Sequence, residues 1–225
     1  MQLSAVLLAR FITFIEIAEL DPRGRIHFPE LSDSLAKRFG FQKFPQKFEE
    51  FDLQKGIEFA QGKWERGGVE KLTIFGGGFA AETRSSTDDS EGFLHEFLSW
   101  AATKFGIQYR PEMIKHIAYV SQVVFYAEAP ILTLLSNPVA RLSQRVSNSI
   151  EKVLKEKIHY ELSGLWIGMD QLTRKMAPAA FTIQRRIDVP FSENKYFSEA
   201  PLPTEVHLTL LREFEADVLV SPAQR

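Results

Sequence analysis

The sequence predicts an α+β protein made of tandem β-α-β-β-α units, residues 1–110 and 111–225. The two units would share one mainly antiparallel sheet of about six strands, with helices on one face. Three observations predict it. Hydrophobic periodicity gives the order strand, helix, strand, strand, helix in both halves. A short motif recurs on the third element of each half, EFAQGKW from Glu58 to Trp64 and ELSGLW from Glu161 to Trp166, each placing a Gly two positions before a Trp. Three strands and two helices are also too few to bury a sheet face alone, whereas two such halves placed edge to edge make a sheet of ordinary size. The shared element order weighs more than the letters, whose spacing differs by one residue.

Each element has a local reason. Residues 10–19 are rich in Phe and Ile and read as a strand, ended by the turn Asp21-Pro22-Arg23-Gly24. Pro29 suits a first helical turn, Leu31, Leu35 and Phe39 form one stripe, and Gly40 ends it. Ile57 to Ala60 and Val69 to Arg84 read as hairpin strands around Arg66-Gly67-Gly68, and Gly76-Gly77-Gly78 interrupts the second. Asp88 with Glu91 resembles a capping box that opens a helix whose apolar face is Phe93, Phe97, Ala101 and Phe105.

The second half follows suit. Ile117 to Glu128 reads as a strand, about Pro138 to Lys157 as a helix, and Tyr160 to Met169 and Phe181 to Val189 as strands. Residues 191–203 read as an ordered aromatic loop. Thr204 opens a last helix with Val206, Leu210, Leu211, Phe214 and Val218 on its inner side.

Composition bounds function. The chain has 225 residues, 44% hydrophobic, enough for a sizeable core, and nineteen Phe predict that the core is aromatic. A formal net charge of −2 argues against a strongly basic nucleic-acid binder. With no cysteine, disulfides, thiolate metal sites and cysteine nucleophiles are excluded, in keeping with a cytoplasmic location. The apolar N-terminal run is broken by Arg10 and Glu16 and has no basic residue before it, so it reads as neither a signal peptide nor a membrane span.

No catalytic constellation is legible. The glycines of IFGGGFAAETRSST lack the Lys-Ser/Thr of a phosphate loop and read as a bulge or a close backbone approach. Histidines 27, 95, 116, 159 and 207 do not fall at metal-ligand spacing, and Gly-x-Ser-x-Gly is absent. No metal or cofactor is expected. Glu193-Asn194-Lys195 has the letters of a nuclease strand but sits among turn formers.

Certain residues stand out against this background. Alternation places Arg185 on the apolar side of its strand and Arg186 on the polar side, so Arg185 must find a carboxylate or an anion, with Asp170 and Glu16 as possible partners. His207 lies in an apolar arc, as a hydrogen-bonded core residue or a buried base. Arg141, Arg145, Asn148, Lys152 and Lys155 share one helical face, either solvated or facing an acidic partner. Tyr196 and Phe197, in the aromatic loop, either cover the sheet edge or anchor a partner.

Two functions follow. The first is a non-catalytic binding or scaffold module that docks a protein partner, or a copy of itself, through its sheet face or aromatic loop. A bacterial stress or phage-defence assembly is a setting with no residue behind it. Candidate contacts are Tyr196, Phe197, Arg141, Arg145 and Lys152, with nucleic acid a weaker possibility and no membrane contact. The second is an enzyme or nucleic-acid-processing protein with an anion site around Arg185, using Asp170, His207 and Glu193, with Arg186 a further anion-binding candidate.

Overall fold

A computed structural model describes residues 1–24, 26–135, 137–170, 172 and 178–220. They form an α+β fold with five α-helices and one antiparallel sheet of eight strands, not about six, in the order β2-β3-β4-β1-β5-β8-β7-β6. Two strands escaped the sequence reading. The run from Val69 to Arg84 is not one strand: Gly76-Gly77 turn the chain between β3 (Gly67–Phe75) and β4 (Gly78–Thr83). The presumed aromatic loop contains β8 (Lys195–Ala200), so Tyr196 and Phe197 are sheet residues.

The chain gathers into two compact units. The first comprises Val6–Gln122 with Pro201–Glu205, and the second Met1–Ala5, Val123–Ala200 and Val206–Arg225. Strand β1 (Gln2–Phe14) starts earlier than the sequence indicates and is followed by the single turn α1 (Ile17–Leu20). In the first unit β1, β4, β3 and β2 (Ile57–Trp64) pair antiparallel in that order. The registers Phe11↔Ala81, Leu72↔Ala81 and Phe59↔Leu72 align one apolar row across four strands.

Helices α2 (Phe28–Phe39) and α3 (Thr87–Phe105) cover this row with aromatic rings, Phe39 and Phe93 meeting edge-on at 5.1 Å. The opposite side carries charges instead, with Arg10 paired to Glu82 at 2.8 Å and Lys71 to Glu58 at 2.9 Å. That side is the more polar of the two, although Thr73, Ala80 and Glu82 on it are buried. Pro29 in the first turn and Gly40 at φ 62° bound α2 as its sequence indicates. The cap of α3 is Ser86, whose hydroxyl accepts the Asp89 N–H at 3.1 Å, rather than Asp88. Thr87 and Thr204 each offer their side-chain oxygen to the other's backbone N–H, at 2.9 and 3.1 Å.

Strand β5 (His116–Tyr126) leads into the second unit, where α4 (Asn137–Leu154) is followed by the meander β6 (Gly164–Ile167), β7 (Phe181–Arg185) and β8. The registers Leu165↔Ile183 and Ile183↔Ser198 put Ile183, Arg185, Tyr196 and Ser198 on one face. Helix α5 (Thr204–Leu219) covers that face, but not with its expected side. His207, Leu208, Leu211 and Glu215 are buried, while Val206 and Leu210 are exposed. Hydrogen bonds explain the rotation. His207 finds Ser198, and Glu215 accepts the Glu128 N–H at 2.7 Å, so two polar side chains occupy the inner face.

Candidate functional site

Arg185, the last residue of β7, points inward with its side chain 2% exposed. Its carboxylate partner is Glu161, at 2.7 Å, and not Asp170 or Glu16. The guanidinium also donates to the Thr133 hydroxyl at 2.9 Å, the Phe191 carbonyl at 3.0 Å and the Leu162 carbonyl at 3.3 Å. Four of its five N–H groups are thus engaged. The rings of Phe191 and Tyr196 lie 4.4 and 5.6 Å from it, close enough for cation–π attraction. Arg185 therefore ties together the segment after β5, the approach to β6 and the turn after β7. A cation already neutralised and hydrogen-bonded has little left for an anion. Glu161 belongs to the recurring ELSGLW motif, a signal that marks the segment but not its partner.

His207 lies beside Ser198, Nε2 to Oγ 2.7 Å, and the Ser198 hydroxyl donates to the Thr182 carbonyl at 2.6 Å. A serine has one proton to give, so His207 is the donor and stands as the neutral Nε2–H tautomer. The Phe181 ring packs edge-on at 5.4 Å, and burial pushes the imidazole down to about 4. Both partners are fully buried, so this pair has the letters of a nucleophile and base without access for a substrate.

The remaining candidates scatter. Arg186 forms a two-pronged ion pair with Asp188, at 2.9 and 3.0 Å, beside an open cleft of about 290 Å³. The Asp170 carboxylate is exposed and accepts the Leu172 N–H at 3.0 Å. Tyr196 is fully buried against Phe125, their rings stacked at 5.6 Å, and so offers nothing to a partner, while Phe197 on the opposite face is half-buried. Arg141, Arg145 and Lys152 all lie exposed on α4. A larger cleft of about 470 Å³ beside β2 is lined by Glu49, Glu50, Asp52, Glu58 and two lysines. Its Glu50 and Asp52 carboxylates already accept two backbone N–H groups each, which lowers both pKa values. Among the described residues no group of three His, Asp or Glu is arranged to hold a metal ion.

What distinguishes the surface is the sheet edge at β6, the strand formed by the second Gly-x-Trp motif. The Gly-x-Trp motifs fall on β2 and β6, the two outer strands. At β2 the edge is covered by the chain itself: Lys43 and Ala60 exchange N–H···O bonds of 3.1 and 2.8 Å. Trp64 is locked there by a 2.6 Å bond from its indole N–H to Glu96 and by the Phe93 ring. At β6 no such bridge is formed among the described residues, and Trp166 and Ile167 stand 60% and 58% exposed on its two faces. The legible signal was negative: Gly164 to Ile167 contains no charge and no proline, the usual guards of a free edge.

No protein-family model matches this chain, and no curated protein matches it. No helix among the described residues is long and apolar enough to cross a membrane.

Proposed function

We propose that the chain is a non-catalytic docking module that takes an extended segment of a partner protein as an added strand at β6. The single observation behind this reading is the outer edge of β6, which no described residue bridges, with its two exposed apolar side chains. An outer strand presents a row of backbone donors and acceptors, and another strand satisfies them directly. Alternation puts Trp166 on one side of the added strand and Ile167 on the other, so the backbone supplies affinity and these side chains supply selectivity. A tryptophan held out in water at a sheet edge is a frequent interface anchor. The contrast with Trp64, held by its own helix at the matching edge position, supports the same reading.

The test is selection from a displayed library of extended peptides. Enriched peptides should alternate apolar and polar residues, protect the amides of Gly164 to Ile167 from hydrogen exchange, and bind Trp166→Lys protein at least about tenfold more weakly. Enrichment that ignores Trp166→Lys, or protection elsewhere, would refute it.

We also infer that the two halves of the chain descend from one copied segment. Apart from the single turn α1, each half reads strand, helix, three-strand meander, helix. The Gly-x-Trp motif opens the meander in both, and Thr87 and Thr204 start the closing helices.

A further inference from the structure

Beyond strand addition, we propose that the chain forms a two-fold dimer in which α4 of each copy packs on α5 of the other. Two helix faces in the second unit have no covering layer among the described residues, and they match each other.

Helix α4 has a strong apolar stripe that the fold uses poorly. Of its residues with described side chains only Ser147 is buried, Val146 and Ile150 are half-buried, and Leu142 and Val153 stand 62% and 74% exposed. Those last two border the basic face of Arg141, Arg145 and Lys152. On α5, the inward turn of His207 and Glu215 sends the opposite arc outward. That arc carries Val206 and Leu210, both exposed, together with the acids Glu213 and Asp217, and the exposed Val220 follows the helix end. One helix therefore shows apolar and positive groups, the other apolar and negative groups.

Charge complementarity names the occupant, because the acidic counterpart of α4 is present on the same chain. A two-fold axis repeats the contact, α4 on α5 and α5 on α4, and closes the assembly as a dimer.

The area is sufficient. Helices of 18 and 16 residues are about 27 and 24 Å long, and faces about 10 Å wide offer about 500 Å² per copy. Two copies bury about 1,000 Å², the lower bound for a specific interface.

Sedimentation of the full chain at low and high salt tests this. Wild type should run at twice its 25.7 kDa at low salt and shift toward monomer at high salt. Arg141→Glu/Arg145→Glu and Glu213→Lys/Asp217→Lys, both at exposed positions, should each run as folded monomers by circular dichroism. Mixed in equal amounts, they should restore a dimer, since each then supplies the charge the other needs. A monomeric wild type at low salt, dimers that survive both reversals, or folded variants that fail to recombine would each overturn the proposal. Trp166→Lys should leave the dimer intact while abolishing peptide capture. Loss of the dimer in that variant would place the self-contact at β6 and overturn this arrangement without touching the strand-addition reading.

Discussion

At the scale of single residues, Arg185 shows how far alternation reaches and where it stops. Period two places it on the packed face, and a buried guanidinium must be neutralised, so the need for a carboxylate was legible. Which carboxylate was not, because Glu161 lies on a different element and nothing in the spacing prefers it to Asp170. Glu161→Ala should cost about 2–3 kcal/mol in urea unfolding, below the usual cost of breaking a buried pair because Glu161 is partly exposed. Glu161→Gln, which keeps an acceptor, should cost less. Equal losses from the two would mean the charge is irrelevant. His207 gives a prediction of known sign. Its folded-state pKa is near 4 against 6.5 unfolded, so above 6.5 the group is neutral in both states and adds no pH dependence. As pH falls from 6.5 toward 4 only the unfolded chain takes up the proton, and stability drops by up to about 3 kcal/mol. His207→Gln, which keeps a donor for Ser198, should flatten that limb of the stability profile. An unchanged slope between pH 6.5 and 4 would show that other groups cause it.

At the scale of elements, β4 and β8 were the strands the sequence hid, for different reasons. Gly76-Gly77-Gly78 suggested a bulge or a close approach, and the close approach is present. A Cβ on Gly78 would lie 2.2 Å from the Thr13 carbonyl, whereas one on Gly77 would meet only the Glu16 side chain at 3.5 Å. The rest of the message, that the triplet divides one apolar run into two strands, needed the pairing Phe14↔Gly78 that only the fold supplies. Gly78→Ala should therefore cost about 2 kcal/mol or more in thermal or urea unfolding, because backbone must shift to admit the methyl group. Gly77→Ala should stay within about 0.5 kcal/mol. Similar values for both would remove the steric argument. Strand β8 was hidden by its neighbours. Pro190 and the turn at Phe191–Glu193 made the whole segment look irregular, although Tyr196, Ser198 and Ala200 alternate inward without a break. On α5 the apolar count pointed to Val206 and Leu210 as the inner side. The buried bonds of His207 and Glu215 rotate it, keeping Leu211 inside, and polar satisfaction of that kind has no trace in hydrophobic periodicity.

At the scale of the whole molecule, the α+β class and the antiparallel sheet followed from alternating element types, and the two Gly-x-Trp motifs fall on β2 and β6, the outer strands of that sheet. The motif's meaning was out of reach, because the same letters meet different surroundings. Trp64 gains a hydrogen bond from α3 through Glu96 and lies against Gly92, where a Cβ would come within 2.9 Å of the indole. Trp166 folds its ring over its own Gly164 and otherwise faces water. Stability and docking should separate along this line. Trp64→Ala removes packing against Phe93 and leaves Glu96 without its 2.6 Å donor, and should cost about 3 kcal/mol in urea unfolding. Trp166→Ala removes a ring that is mostly hydrated, and should change stability by no more than about 0.5 kcal/mol. Peptide capture at β6 should respond in the opposite order, lost in Trp166→Ala and retained in Trp64→Ala at temperatures where that variant is folded. If Trp166→Ala destabilises the chain as much as Trp64→Ala does, then Trp166 serves the fold, and the β6 edge loses its claim to a partner.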